Sequence, residues 1–483
     1  MKNYLVVCCI LLCISCVKPY NAVETSEFPA QVQIIFTNKC ATAGCHNEKS
    51  FKNAGGLNLT SWSTLFQGGV NGSVAIPFAV PHSPLFSFVN TFSDEGLQSI
   101  PTMPINQEVL DRDEVKAIKQ WIDMGCPNAS GQIPFATNPQ SRAKVYITNQ
   151  GCDVVTVVDA ETGLAMRYVE VGKTSAIESP HGIRVSDDGK YWYVCFTNGT
   201  HLQKFDAVSD TLVAEANITA GSWNVIRLSQ NGKTAYVSDL NNNGRIAVVN
   251  TETMMLQTMY ASGLFNNPHG IVVHPTNSNL YISAQYGNTI YKFNPSIPLL
   301  NSISLEKGKP PVLTSNLIDP HELMLHPSMS QFMFVSCQAS NEVRVLDLNA
   351  DTLYKVIPVG KYPLEMAISK KKNLLFVTCQ EDPNPTYPTF LGSVYVIDMN
   401  TMQVVSIIRE KFYQPHGVGV DEKNDKLFVV SRNATTDGPA PHHTSACGGR
   451  NGYFHTLDLQ TFKPVRPSAE LSVDPYSADV RVP

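Results

Sequence analysis

Two thiols and an imidazole stand together at Cys40-Ala41-Thr42-Ala43-Gly44-Cys45-His46. Paired thiols can add across the two vinyl groups of a haem, and a histidine directly after the second thiol is then held against the iron. The common attachment spacing is C-x-x-C-H. Here four residues separate the cysteines, so the surroundings must carry more of the argument. Downstream, Pro101-Thr102-Met103-Pro104 offers a thioether in a proline-framed loop, and Met/His ligation is one way proteins hold haem iron. Other uses of these groups stay open. The thiols could close a disulfide with His46 merely at the surface, although that leaves the methionine loop unexplained, and Met103 could be a core side chain. Zinc is disfavoured, because adjacent Cys and His crowd a tetrahedron and no fourth ligand is evident.

These groups need elements to position them. Val32, Ile35 and Phe36 fall at i, i+3 and i+4, one apolar helical face leading into Cys40. After Met103, Asp111 can cap a helix and Glu114 completes a capping box, with Leu110 and Val115 at the staple positions. Val115, Ile118 and Ile122 form the apolar stripe with Trp121 on its flank, and Gly125 ends the helix. Residues 30–128 resemble the small cytochrome c domains of bacterial envelope lipoproteins, through CATAGCH, GGLNL, PTMP and LDRDEVKAIKQWIDMG. The resemblance implies a small all-α domain over 28–128. It further implies one covalent haem c, with thioethers from Cys40 and Cys45 and with His46 and Met103 as axial iron ligands.

The chain has 483 residues, 43% hydrophobic and 16% charged, enough for more than one core. A net charge of −5 and the lack of a basic patch argue against nucleic acid as a partner. Met1-Lys2 followed by the apolar run 5–14 reads as a secretory signal. The run Leu12-Cys13-Ile14-Ser15-Cys16 resembles a bacterial lipoprotein box, which implies a signal peptide over 1–16 and a membrane anchor on lipidated Cys16. The alternative is a simple secretory signal cut elsewhere. Either fits a periplasmic or cell-surface location, because cytochromes of the resembled kind are matured outside the cytoplasm.

Residues 129–142 are turn-rich and read as a linker. From 143 to 483 the chain repeats. Segments such as VTVVDAETG, IAVVNTETM and VYVIDMNTM recur, each preceded by a strand such as KVYITN or LLFVTC. Seven strand starts lie between the units: PHGIRVS, WNVIRLS, PHGIVVH, PHELMLH, PLEMAIS, PHGVGVD and PYSADVR. Seven four-stranded units predict an all-β, seven-bladed propeller. The first unit starts at its second strand, and pairing 144–149 with 478–482 would close the ring and remove a sheet edge. The units resemble the YVTN-type propeller repeat, through VYITN and VTVVDAETG.

The P-H starts place His181, His269, His321 and His416 around one mouth of the channel, with Trp223, Leu364 and Tyr476 at the matching positions of the other blades. Insertions at 239–245, 381–392 and 433–452 open at the same end, and the last adds His442 and His443. Four imidazoles could ligate copper or another metal; equally, P-H-G could be a repeat turn whose histidine faces channel water. Ring closure makes Cys152 and Cys447 neighbours close enough for a disulfide, while Cys337 and Cys379 should be free. The leading expectation is a membrane-anchored monohaem electron-transfer protein whose propeller docks a redox partner protein of the envelope or a ligand. The alternatives are an oxidoreductase with a metal site at the channel mouth and a non-enzymatic envelope binding protein.

Overall fold

The computed structural model describes residues 27–297, 299–314 and 317–483. Cys16 and the expected signal peptide lie outside the described residues.

Seven four-stranded antiparallel sheets stand around a central channel, each blade running outward from its innermost strand. The innermost strands are Pro180–Val185, Trp223–Leu228, Pro268–Val273, Pro320–Leu325, Lys361–Ser369, Pro415–Asp421 and Pro475–Arg481. Six begin at the predicted repeat starts, and Lys361–Ser369 begins two residues before its predicted start at Pro363. Middle strands such as Val154–Asp159 are buried along their whole length, because each sheet is covered on both faces by neighbouring blades. The β-branched and aromatic content of these strands follows from that double burial.

Ring closure is as expected. Pro475–Arg481 pairs antiparallel with Lys144–Asn149, aligning Lys144 with Arg481 and Ile147 with Ala478. Arg481 locks the joint. Its guanidinium donates to the backbone carbonyls of Gly189 at 2.7 Å, Arg142 at 2.7 Å and Gln140 at 2.9 Å. The stretch expected to be a linker is thereby fastened to the propeller, and Phe135 from it packs against Phe66. The Cys152–Cys447 disulfide also forms across the closing blades, with a Cα separation of 5.6 Å. Cys337 and Cys379 are free and buried.

The expected fold class needs correction. Among the described residues, no separate small all-α domain precedes the propeller. The described part of the N-terminal segment carries four α-helices, Ala30–Ile35, Trp62–Leu65, Pro84–Val89 and Arg112–Asp123, set among turns and loops. Three of them are no longer than six residues, too short to hold their shape without tertiary packing. The long one matches expectation: the Asp111 carboxylate accepts from the Glu114 amide at 2.8 Å and Glu114 accepts from the Asp111 amide at 2.9 Å. Trp121, expected on its flank, is central to the core, edge-on to Phe28 and Phe36.

The segment sits on the propeller rim, against the outermost strands of the first and last blades, Leu164–Glu170 and Ala469–Val473. Ile76 and Ala79 bury themselves with Ala165, and His82 stacks on Tyr168 at 4.4 Å. Ser73 donates to the Ala165 carbonyl at 2.9 Å, and the Glu470 amide donates to the Asn71 carbonyl at 2.9 Å. The molecule is therefore a seven-bladed propeller bearing a loop-rich segment on its rim.

Candidate functional sites on the rim and in the channel

The first helix widens into a π-helical turn, Phe36–Cys40, which delivers Cys40 into the segment's apolar core. Gly44 then reverses the chain at φ +82°, a conformation that favours glycine. That reversal brings the His46 amide back to the Cys40 carbonyl at 3.1 Å. The His46 ring faces the Leu57 carbonyl through Nδ1 at 3.2 Å. A proton on Nδ1 satisfies that carbonyl and leaves the Nε2 lone pair available to a metal. Burial holds the imidazole below its ordinary pKa, which keeps it neutral.

Cys40 and Cys45 are both free, so the disulfide alternative is not formed. Burial pushes the Cys40 thiol up to about 12. Met103 packs against the core that contains Cys40, and its amide donates to the Phe88 carbonyl at 2.8 Å. A 2.7 Å ion pair between Lys39 and Glu108 ties the residue before Cys40 to the stretch that follows the methionine. Beside Met103, Ile100 is 90% exposed, and Ile105 and Val109 are exposed as well. Two unpaired thiols, an oriented imidazole, a thioether and uncovered apolar side chains are a donor set that fits a covalently attached haem.

The channel is built by a different device. In six of the seven innermost strands the residue before the leading proline, namely Ser179, Asn267, Asp319, Tyr362, Gln414 and Asp474, has φ between +43° and +57°. This left-handed residue turns the chain sharply into the channel. Glycine follows the histidine in three blades because inner strands meet shoulder to shoulder. A side chain at Gly182, Gly270 or Gly417 would run into the backbone carbonyl of Asn224, His321 or Tyr476 on the next blade. P-H-G is thus a packing device first.

The structure brings all four predicted histidines together. His269 lies 4.0 Å from His321 and 6.3 Å from His181, ring to ring, and His321 lies 5.7 Å from His416. Tyr476 closes the circle, 3.6 Å from His416 and 4.3 Å from His181. Trp223 does not join them. It turns away to donate to the Thr219 carbonyl at 2.9 Å, and Asn224 lines the channel in its blade. Counting from the proline position shows why: Trp223-Asn224 aligns with Pro180-His181.

Burial keeps all four imidazoles neutral, with His269 held down to about 3. They form one end of a cavity of about 310 Å³ that runs along the inner strands toward Lys370 and Val420. Among the described residues, no three His, Cys, Asp or Glu side chains are arranged to hold a metal ion. His442 and His443 instead lie against Phe88 of the rim segment, their amides bonded to Glu470.

Two sets of residues escaped the sequence reading. One is a hydroxyl near the end of five of the second strands. Thr148, Ser238, Ser283, Ser336 and Thr378 donate to the carbonyls of His181, His269, His321, Leu364 and His416, at 2.6 to 3.0 Å. Each hydroxyl fixes the channel residue of the next blade. The other is a charged layer below the histidines. Glu322 and Glu365 occupy, in adjacent blades, the position that is glycine in P-H-G, and Arg184, Arg227 and Asp479 sit two residues further along.

No family model matches the chain. A 105-residue stretch is 32% identical to Antigen Lp49 of Leptospira interrogans, covering 20% of this chain and 22% of that protein. The matching stretch thus spans about a fifth of that relative's length. Among solved structures, a functionally unknown protein from Desulfotomaculum acetoxidans is 12% identical with a TM-score of 0.49, covering 68% of this chain and 99% of its own. Hydrazine synthase of Kuenenia stuttgartiensis is 13% identical with a TM-score of 0.44, covering 63% and 98%. Both likenesses are too distant to bear on chemistry.

Proposed function

We propose that the protein is an electron carrier holding one haem c on its rim segment, through Cys40 and Cys45 as thioethers and His46 and Met103 as iron ligands. The propeller, a scaffold consistent with docking a ligand or a partner, seats the redox partner. The observation that carries the reading is the His46 Nδ1 contact to the Leu57 carbonyl, which presets the tautomer a metal-binding imidazole needs, beside two unpaired thiols. A bound haem supplies one-electron exchange at iron. The chain's own residues do the positioning. Leu57 orients the imidazole, the Phe88 carbonyl holds the methionine loop, and Ser99 ties that loop to the propeller by a 3.0 Å bond to Thr444. A membrane anchor on Cys16, in the bacterial envelope, completes the proposal.

The test is pigment spectroscopy on native protein. A Soret band that survives acid-acetone extraction, vanishes in the Cys40→Ala/Cys45→Ala pair and persists at lower midpoint potential in Met103→Ala is expected. Colourless protein, or pigment lost to solvent, refutes the proposal.

A further inference from the structure

The charged layer of the channel does not balance. Arg227 is in contact with Glu322, and Arg184 pairs with Asp479 at 3.1 Å. Glu365 also lines the cavity, yet among the described residues no lysine or arginine forms an ion pair with it. Its neighbour at 3.6 Å is Nδ1 of His416, an imidazole that burial keeps neutral. Lys370 stands exposed at the far end of the cavity. Burial raises the Glu365 carboxyl to about 7 despite hydrogen bonds from Ser477 and the Ala478 backbone and the more distant charge of Arg184, so the group still lacks a paired cation.

Unmet hydrogen-bonding groups surround the same space. Nδ1 of His321 is buried without a hydrogen-bond partner, and His416, which is 1% exposed, has only a weak contact to the Tyr476 backbone. Across the cavity the Asn224 amide nitrogen is buried and unpartnered as well. Buried polar groups left without partners cost free energy, and several facing one cavity mark a place where a polar occupant belongs. Between them, Met324, Met366 and Val418 give the walls an apolar stretch.

We propose that the channel cavity binds a small organic ammonium. Its cationic nitrogen sits at Glu365 and His416, its carbon chain lies along Met324, Met366 and Val418, and an oxygen acceptor at its other end reaches Asn224. The cavity is far larger than a bare ion, and the neutral imidazoles offer lone pairs to N–H donors without adding positive charge. This reading is independent of the haem proposal.

Isothermal titration of the full mature protein at neutral pH with 4-aminobutan-1-ol tests it. Butane-1,4-diol is the neutral isostere and zinc the metal arm. Saturable one-to-one binding of the amine, without binding of the diol, is expected, and Glu365→Gln should weaken it by about tenfold or more. Glu252→Gln, which alters an exposed ion pair, should leave binding unchanged. Because Glu365→Gln removes a buried charge, circular dichroism should show a folded propeller. Equal binding of amine and diol, no saturable amine binding, or an unaltered Glu365→Gln affinity overturns the proposal. Zinc held at one per chain and excluding the amine overturns it too, by assigning the cavity to a metal.

Discussion

The rim segment and the propeller solve opposite problems with the same chain. The propeller repeats one four-stranded blade seven times, with a left-handed residue and a proline leading into six of the inner strands and a hydroxyl from the preceding blade fixing the channel residue in five. The rim segment repeats nothing. Its core gathers Phe28, Phe36, Leu59, Phe86 and Trp121 from elements far apart in sequence. Regularity distributes stability over many equivalent contacts, whereas the irregular segment depends on a few large side chains. The thiols, imidazole and thioether lie in the irregular part, where no repeat constrains the spacing of unlike groups.

That contrast can be broken first at Trp121. Replacing it by alanine should cost about 3–5 kcal/mol, as expected for an aromatic removed from a packed core. Hydrogen exchange should show the rim segment opening while the blade amides stay protected; equal loss of protection in both regions would deny the distinction. A smaller effect is expected in the propeller. Thr378→Val removes one inter-blade donor from the His416 carbonyl and should cost about 1–3 kcal/mol, since a buried acceptor is left unpaired. Chemical denaturation measures it, and a far larger loss would mean that the repeats do not share the load.

The smallest effect is one of pH. The folded protein holds a proton on Glu365 up to about pH 7, against 4.5 for the ordinary carboxyl. Between those values the folded state binds more protons than the unfolded, so this group's contribution to stability falls as pH rises through that window. Glu365→Gln should therefore raise the thermal midpoint by a few degrees at pH 8 and leave it unchanged near pH 4. A gain that is the same at both pH values would contradict the burial of this carboxyl.

The two regions also differed in what could be read from sequence. Blade starts, ring closure and the Cys152–Cys447 bridge were legible because a period-two strand pattern repeated seven times fixes register. Trp223 was expected at the position matching the histidines because it opens its strand, whereas the backbone counts from the turn and delivers Asn224. The hydroxyl series was visible in VYIT, AYVS, YIS, FVS and FVT, but each member alone reads as an ordinary strand residue. Glu322 and Glu365 announced themselves by replacing glycine in P-H-E and P-L-E, a departure that matters only once neighbouring blades are seen to share one cavity. In the rim segment the capping box made one helix certain. Val32 and Ile35 marked the short helix before Cys40, but between these two elements the segment is mostly turns and loops, so the compact all-α domain implied by the resemblance is not what forms.

The seat beneath the rim segment joins Leu164–Glu170 to Ala469–Val473, and Arg481 bolts that joint. The two halves of the seat come from the first and last blades, so that surface exists whole only in the closed ring. Any change that springs the ring apart would unseat the cysteine-bearing segment as well.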